Sequence, residues 1–174
     1  MVDTTELRAR AATLADAAAI AADLQSRHCR SYRHVRDEAA LGRTNCRVVH
    51  WAAAVIVAEI EETGPVAFAA SFPYSARPCY AGIGEFSVYV AREYRGRGAG
   101  RAVLAALIEA ATAAGLHKLT SRVFPENAAS RAVLKGLGFA EIGIHRRHGR
   151  LDGLWRDCVI VERLLEAGDG EHKG

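Results

Sequence analysis

The chain has 174 residues, half of them apolar, which is one domain's worth of sequence with enough hydrophobic material for a sizeable core. The formal charge of +3 suits an anionic cofactor or substrate and falls short of the basic footprint of a nucleic-acid binder. No apolar run reaches the ~18 residues of a membrane-spanning helix, and the opening M-V-D-T-T-E-L lacks the basic-then-apolar order of a signal peptide.

Residues 7–12 alternate in polarity and read as a first strand. Thr13-Leu14-Ala15-Asp16 resembles a capping box, so a helix is expected from there to about residue 26, with Ala17, Ile20, Ala21 and Leu24 on one face. Arg27, Arg30, Arg33 and Arg36 then recur every third residue, with His28, Tyr32 and His34 between them. They form either a solvated basic face or an arginine-lined lip over an anionic substrate. Residues 37–50 read as a second short helix and a loop. Residues 52–60, A-A-A-V-I-V-A-E-I, read as a central strand, and 66–72 return as its hairpin partner. A loop over 74–80 leads through Gly82 and Gly84 into a strand at 85–90. A glycine turn and a helix follow; the helix carries Val103, Leu104, Leu107, Ile108 and Ala111 at helical spacing and stops at Gly115. A strand over 118–124 precedes Asn127, a candidate N-cap for a helix ended by Gly136 and Gly138. Two last strands, 139–147 and 155–165, flank Asp152-Gly153, a two-residue hairpin signal.

The order β-α-α-β-β-β-α-β-α-β-β predicts an α/β fold with one mixed, mostly antiparallel sheet flanked by helices. Residues 1–166 are expected to form one domain and 167–174 a polar tail. Cys29, Cys46, Cys79 and Cys158 lie far apart with no C-x-x-C pair, which reads as reduced thiols in a cytoplasmic protein. His145 and His148 are three apart on an expected strand with no cysteine spaced to join them, so no metal site is expected.

The stretch 85–101, E-F-S-V-Y-V-A-R-E-Y-R-G-R-G-A-G-R, is the most informative. It is a strand, a glycine-rich turn and a helix start. Such a turn aims backbone N–H groups and the helix dipole at an anion, most often a phosphate. Arg95, Arg97 and Arg101 add positive charge, and Gly96, Gly98 and Gly100 permit close approach. The glycine spacing is not that of the dinucleotide fingerprint, and the G-K-[ST] of the nucleotide P-loop is missing. The alternative is a plain strand-to-helix turn with three solvated arginines.

The stretch resembles the acyl-CoA loop [QR]-x-x-G-x-[GA] of the GCN5-related N-acetyltransferases, filled here by Arg95, Gly98 and Gly100. Within that superfamily the phosphinothricin N-acetyltransferase branch, with its arsinothricin-acetylating relatives, carries A-R-x-x-Y-x-x-x-x-E-x-[ST]-V-Y-V. This chain has Ala76, Arg77, Tyr80, Glu85, Ser87, Val88, Tyr89 and Val90 at those positions, and later Gly153, Trp155 and Asp157 in the branch's G-x-W-x-D. The resemblance covers nearly the whole chain. It implies acetyl transfer from acetyl-CoA to the amino group of a small amino acid or analogue, with Glu85 as the general base. It implies that residues 95–101 (Arg95, Gly96, Arg97, Gly98, Ala99, Gly100 and Arg101) cradle the pyrophosphate. The backbone of Val88, Tyr89 and Val90 would anchor the pantetheine arm where the strand splays from its neighbour, with Asn127 and Ser130 also on the cofactor. Tyr74, Arg77, Tyr80 and Ser87 would face the substrate, and Arg146 would add charge to it. A homodimer is implied as well. Two departures stand out: the position where relatives carry a thiolate-protonating tyrosine or histidine is Leu134, and residues 27–50 do not match the branch's usual first-helix region. Other readings are acetylation of a protein N-terminus or a polyamine, and a non-catalytic acyl-CoA-binding module.

Overall fold

The computed structural model describes residues 7–16, 20, 54–61 and 63–165. Seven strands form a single sheet: β1 (Arg8–Ala11), β2 (Ala54–Ile60), β3 (Gly64–Pro73), β4 (Ile83–Val90), β5 (Lys118–Val123), β6 (Ala140–Leu151) and β7 (Leu154–Leu164), in the order β1-β2-β3-β4-β5-β7-β6. Among the described residues, helices α1 (Ala99–Ala113) and α2 (Ala128–Gly136) accompany the sheet, with short 3-10 turns at Leu14–Asp16, Pro78–Tyr80 and Arg92–Tyr94. The mixed α/β sheet expected from the sequence is present. Every neighbouring pair is antiparallel except β4 and β5, the two strands joined through α1. The expected helix over 14–26, apart from its first turn and Ile20, lies outside the described residues. So do the arginines at 27–36, the second helix at 37–50 and the tail from 166 onward.

Alternation along the strands sorts the core into two sides. On one side, Val103, Leu104, Leu107 and Ile108 of α1 bury against Ile56, Ala67, Ala69, Phe86 and Leu119, with Leu134 of α2 and Phe139 in the same cluster. On the other, Val57 and Phe68 meet Ile20, and Tyr89 stacks on Phe68 at 4.9 Å between ring centroids. β2 and β3 are covered on both faces, which is why they read as continuous apolar runs.

The end of β1 and the turn after it are tied down electrostatically. Arg10 donates to both carboxylate oxygens of Asp16 at 2.8 and 2.9 Å and to Glu59 at 2.6 Å, while the Thr13 amide donates to Asp16 Oδ2 at 2.7 Å. This last bond is half of the capping box the sequence suggests. Arg10 holds the buried Asp16 carboxyl down to about 2 and the Glu59 carboxyl below its usual range.

At the far edge, the Asp152-Gly153 turn has φ of +51° and +82°, the pairing that a type I′ hairpin requires. β6 runs on to Leu151, past the expected end at residue 147. A bulge between His145 and Gly149 absorbs the extra residues, with Arg147 at φ +49° and its amide donating to Asp157 Oδ1 at 2.8 Å. Asp157 of the G-x-W-x-D segment thus pins that bulge, and Trp155 lies exposed.

Candidate active site

The site is built where β4 parts from β5. Their parallel pairing covers only Ile83, Gly84 and Glu85, opposite Lys118, Leu119 and Thr120. β4 continues to Val90 on β3, and β5 continues to Val123 on β7, so the two strands diverge beyond Glu85. Strand alternation then decides which backbone groups face the opening. The Ala91 amide bonds Val66 O on the β3 side, so Val90, Val88 and Phe86 turn their N–H and C=O groups toward β5. The Phe86 carbonyl accepts from Ser121 Oγ at 2.7 Å and the Val90 carbonyl from Arg95 Nε at 3.2 Å. The amides of Val88 and Val90 face the gap.

Just beyond, the glycine turn delivers the chain into α1. Gly96 and Gly98 sit at φ +74° and +85°, and Gly98 is the N-cap. A Cβ on Gly98 would meet no atom within 4 Å, so glycine is needed there for its backbone angle. Gly100 is needed for space, since a Cβ there would come within 3.2 Å of Val90 Cγ2. The two helices differ at their starts. In α2 the Asn127 side chain accepts from the Ser130 amide at 3.2 Å, an ordinary N-cap. In α1 no side chain caps the end, and the first helical bond runs from the Ala102 amide to the Gly98 carbonyl. The amides of Ala99, Gly100 and Arg101 are therefore presented outward at the positive end of the helix dipole. Around them, Arg97 lies over the Tyr94 ring at 5.6 Å and Arg101 donates to the Gly136 carbonyl at 3.4 Å. Among the described residues, none of Arg95, Arg97 and Arg101 forms an ion pair. Three unneutralised guanidiniums beside an uncapped helix start fit a polyphosphate.

At the other end of β4, the Tyr74 amide bonds the Ile83 carbonyl and closes the loop between β3 and β4. Tyr74 and Tyr80 are both exposed and meet edge to face at 5.7 Å, and Arg77 lies 5.7 Å over the Tyr80 ring. Glu85 and Ser87 point to the sheet face opposite α1, one residue out of phase with Phe86 and Val88. Arg146 lies in the bulge of β6, with β5 and β7 between it and β4 in the sheet. Leu134, at the position where the resemblance implies an acid, is buried in the core, so its apolar character serves packing. Sequence reasoning missed Arg122. It stands two residues beyond Thr120, the register partner of Glu85, and its guanidinium grips the Glu85 carboxylate across the widening gap at 2.9 and 3.2 Å. Only the parallel register of β4 with β5 reveals that pairing.

The acetyltransferase (GNAT) family model matches residues 21–139. The chain belongs to the acetyltransferase (GNAT) family. It is similar to the phosphinothricin N-acetyltransferase of Streptomyces coelicolor, 34% identical over 110 residues that make up 63% of this chain and 64% of that protein. It is also similar to the L-methionine sulfoximine/L-methionine sulfone acetyltransferase of Pseudomonas aeruginosa, 38% identical over 87 residues, 50% of this chain and 51% of that one. The chain thus spans between half and two thirds of the length of these curated relatives. Among solved structures, the yncA protein of Salmonella typhimurium with its cofactor acetyl-CoA superposes with TM-score 0.81 at 25% identity, covering 98% of this chain and 100% of that one. The ribosomal-protein-alanine N-acetyltransferase of Brucella melitensis gives 0.78 at 30% identity, covering 91% and 99%.

Proposed function

We propose that this GNAT-family protein transfers the acetyl group of acetyl-CoA to the amino group of a small amino acid or amino-acid analogue, of the phosphinothricin, arsinothricin or methionine sulfoximine kind. The observation that carries the reading is the uncapped start of α1, ringed by arginines that form no ion pair among the described residues and opening onto the gap between β4 and β5. Acetyl-CoA, when bound, supplies an activated acetyl thioester. The amides of Ala99, Gly100 and Arg101, with Arg95 and Arg97, would hold its pyrophosphate. The Val88 and Val90 amides point into the gap and are the donors available to the pantetheine arm and to an oxyanion at the acetyl carbon. Asn127 and Ser130 are spoken for by the α2 cap, so any cofactor contact from them is added to that role.

Glu85 takes the proton from the substrate ammonium, directly or through water, and leaves the amine lone pair free to attack. As the new N–C bond forms, the C–S bond breaks and the thiolate leaves; the second proton of the nitrogen passes to that thiolate through water, giving the amide and the free thiol. With Leu134 in the acid position the chain offers no donor there; a thiol of pKa ~8.5 leaves without one at modest cost. Tyr74, Arg77, Tyr80 and Ser87 frame the substrate end of the same strand. A homodimer belongs to the proposal on the resemblance alone, and a cytoplasmic location on the scattered cysteines.

The test is thiol release from acetyl-CoA by the purified protein with phosphinothricin, methionine sulfoximine, glutamate, spermidine, kanamycin and an alanine-initiated peptide. Turnover of the amino-acid analogues above the rest is expected. Acetylation of the peptide or polyamine alone would move the activity to those substrates, and acetyl-CoA binding without turnover of any amine would make the protein a binding module.

A further inference from the structure

We infer that the Glu85–Arg122 ion pair is a receptor for the zwitterionic head of an α-amino acid, with Arg122 the residue that selects substrates bearing an α-carboxylate. The inference rests on the acetyl-transfer reading above and adds a residue that neither the motif nor the resemblance assigns.

In the free protein both carboxylate oxygens of Glu85 are occupied by Arg122, at 2.9 and 3.2 Å. A base whose acceptor sites are filled by a guanidinium is poorly placed to take a proton from an ammonium. The pair is nevertheless easy to open. Its members are 34% and 37% exposed, and a pair that open to water contributes little to folding. It joins side chains at the place where the β4–β5 pairing ends, so parting it breaks no backbone hydrogen bond of the ladder. On β5 the next charge along this face, Lys118, is committed to Glu162 at 2.9 Å. Among the described residues Arg122 and Glu85 have no charged partner but each other.

An α-amino acid carries both complements on adjacent atoms. Its carboxylate matches the fork of Arg122, and its ammonium matches the oxygens of Glu85 so released. One ion pair is exchanged for two, and the base is uncovered by the substrate's own carboxylate. An amine without a carboxylate offers no such exchange. Its ammonium must compete with Arg122 for Glu85 and then sit beside an unpaired guanidinium, a like-charge contact.

The experiment compares two amines in wild type, Arg122→Gln and Arg122→Lys. One is methionine sulfoximine; the other is the amine with the same side chain and hydrogen in place of the α-carboxylate. Arg122→Gln should lower kcat/KM for the amino acid by roughly 10–150-fold, the worth of hydrogen bonds to a charged group, with KM for acetyl-CoA unchanged. For the carboxylate-free amine the same variant should leave kcat/KM unchanged or raise it, because Glu85 is no longer covered. Arg122→Lys should recover part of the loss on the amino acid. Equal losses on both amines would make Arg122 a mere support for Glu85 and overturn the receptor, as would no loss on either. Wild-type turnover confined to the carboxylate-free amine would refute the receptor and leave acetyl transfer standing. Turnover of neither amine, nor of the rest of the panel above, would refute both readings together.

Discussion

The uncapped start of α1 gives the most direct test of the cofactor site, through Gly98. A side chain there is forced into the left-handed backbone region at φ +85°, a strain of roughly 1–2 kcal/mol, and no neighbouring atom clashes with it. At roughly 2–4 °C per kcal/mol for a domain of this size, the unliganded Gly98→Glu variant should melt about 2–8 °C below wild type. Acetyl-CoA at 100 times its Kd adds about 2.7 kcal/mol, hence a wild-type rise of about 5–11 °C. In Gly98→Glu that rise should vanish, since the new carboxylate stands where the outward amides of Ala99 to Arg101 would take phosphate. Gly115 supplies the control. It lies just past the other end of α1, at φ +80° and again with no atom near its missing Cβ, so Gly115→Glu carries the same backbone strain. Gly115→Glu should melt lower and keep the full response to acetyl-CoA, measured by thermal unfolding with and without ligand. A full response in Gly98→Glu, or its loss in both variants, would refute the phosphate site.

Three more outcomes are expected. Glu85→Gln should cut turnover by about 10²–10⁴ near neutral pH, with the deficit narrowing at high pH where the amine loses its proton unaided; a small deficit, flat with pH, would make Glu85 structural. Arg77→Ala should raise KM for an acidic amino-acid analogue by roughly 10–150-fold and leave KM for acetyl-CoA unchanged, and equal KM values in variant and wild type would remove Arg77 from the substrate site. Asp16 is held at about 2 in the folded protein against 3.8 unfolded, so its contribution is full above pH ~4 and is lost as pH falls toward 2. Urea unfolding should therefore lose on the order of 2 kcal/mol over that range, and Arg10→Met should be less stable at neutral pH with a flatter acid limb; parallel limbs would count against the network.

Local chemistry was legible from the residues. The glycine turn, the Asn127 cap and the Asp152-Gly153 hairpin each depend on neighbours within a few positions, and each stands where the sequence places it. Strand existence followed from alternation and apolar runs. What escaped is non-local. No periodicity in 83–90 or 118–123 says that the two strands run parallel, or that their pairing stops after Glu85. Arg122 reads in isolation as an outward residue of an amphipathic strand, and only the register brings it to Glu85. The bulge in β6 was equally hidden, because its anchor, Asp157, comes from the opposite strand. For the candidate site, the sequence supplied the residue types, and the sheet register decided which of them meet.

The place of β7 between β5 and β6 has a consequence for how the chain is made. β5 emerges with one edge on β4 for only three residues, and its whole length waits for β7, about 40 residues further along. At a synthesis rate of ~5–20 residues per second, that strand, with apolar Leu119 and Val123 on it, stands open for about 2–8 seconds. The β6 strand that follows pairs only with β7, so it cannot close the gap early. Until β7 arrives the molecule is a half-sheet with an unpaired inner edge, the kind of edge that another chain can occupy. Chaperone access to that edge before β7 docks is therefore expected to affect the yield of this protein.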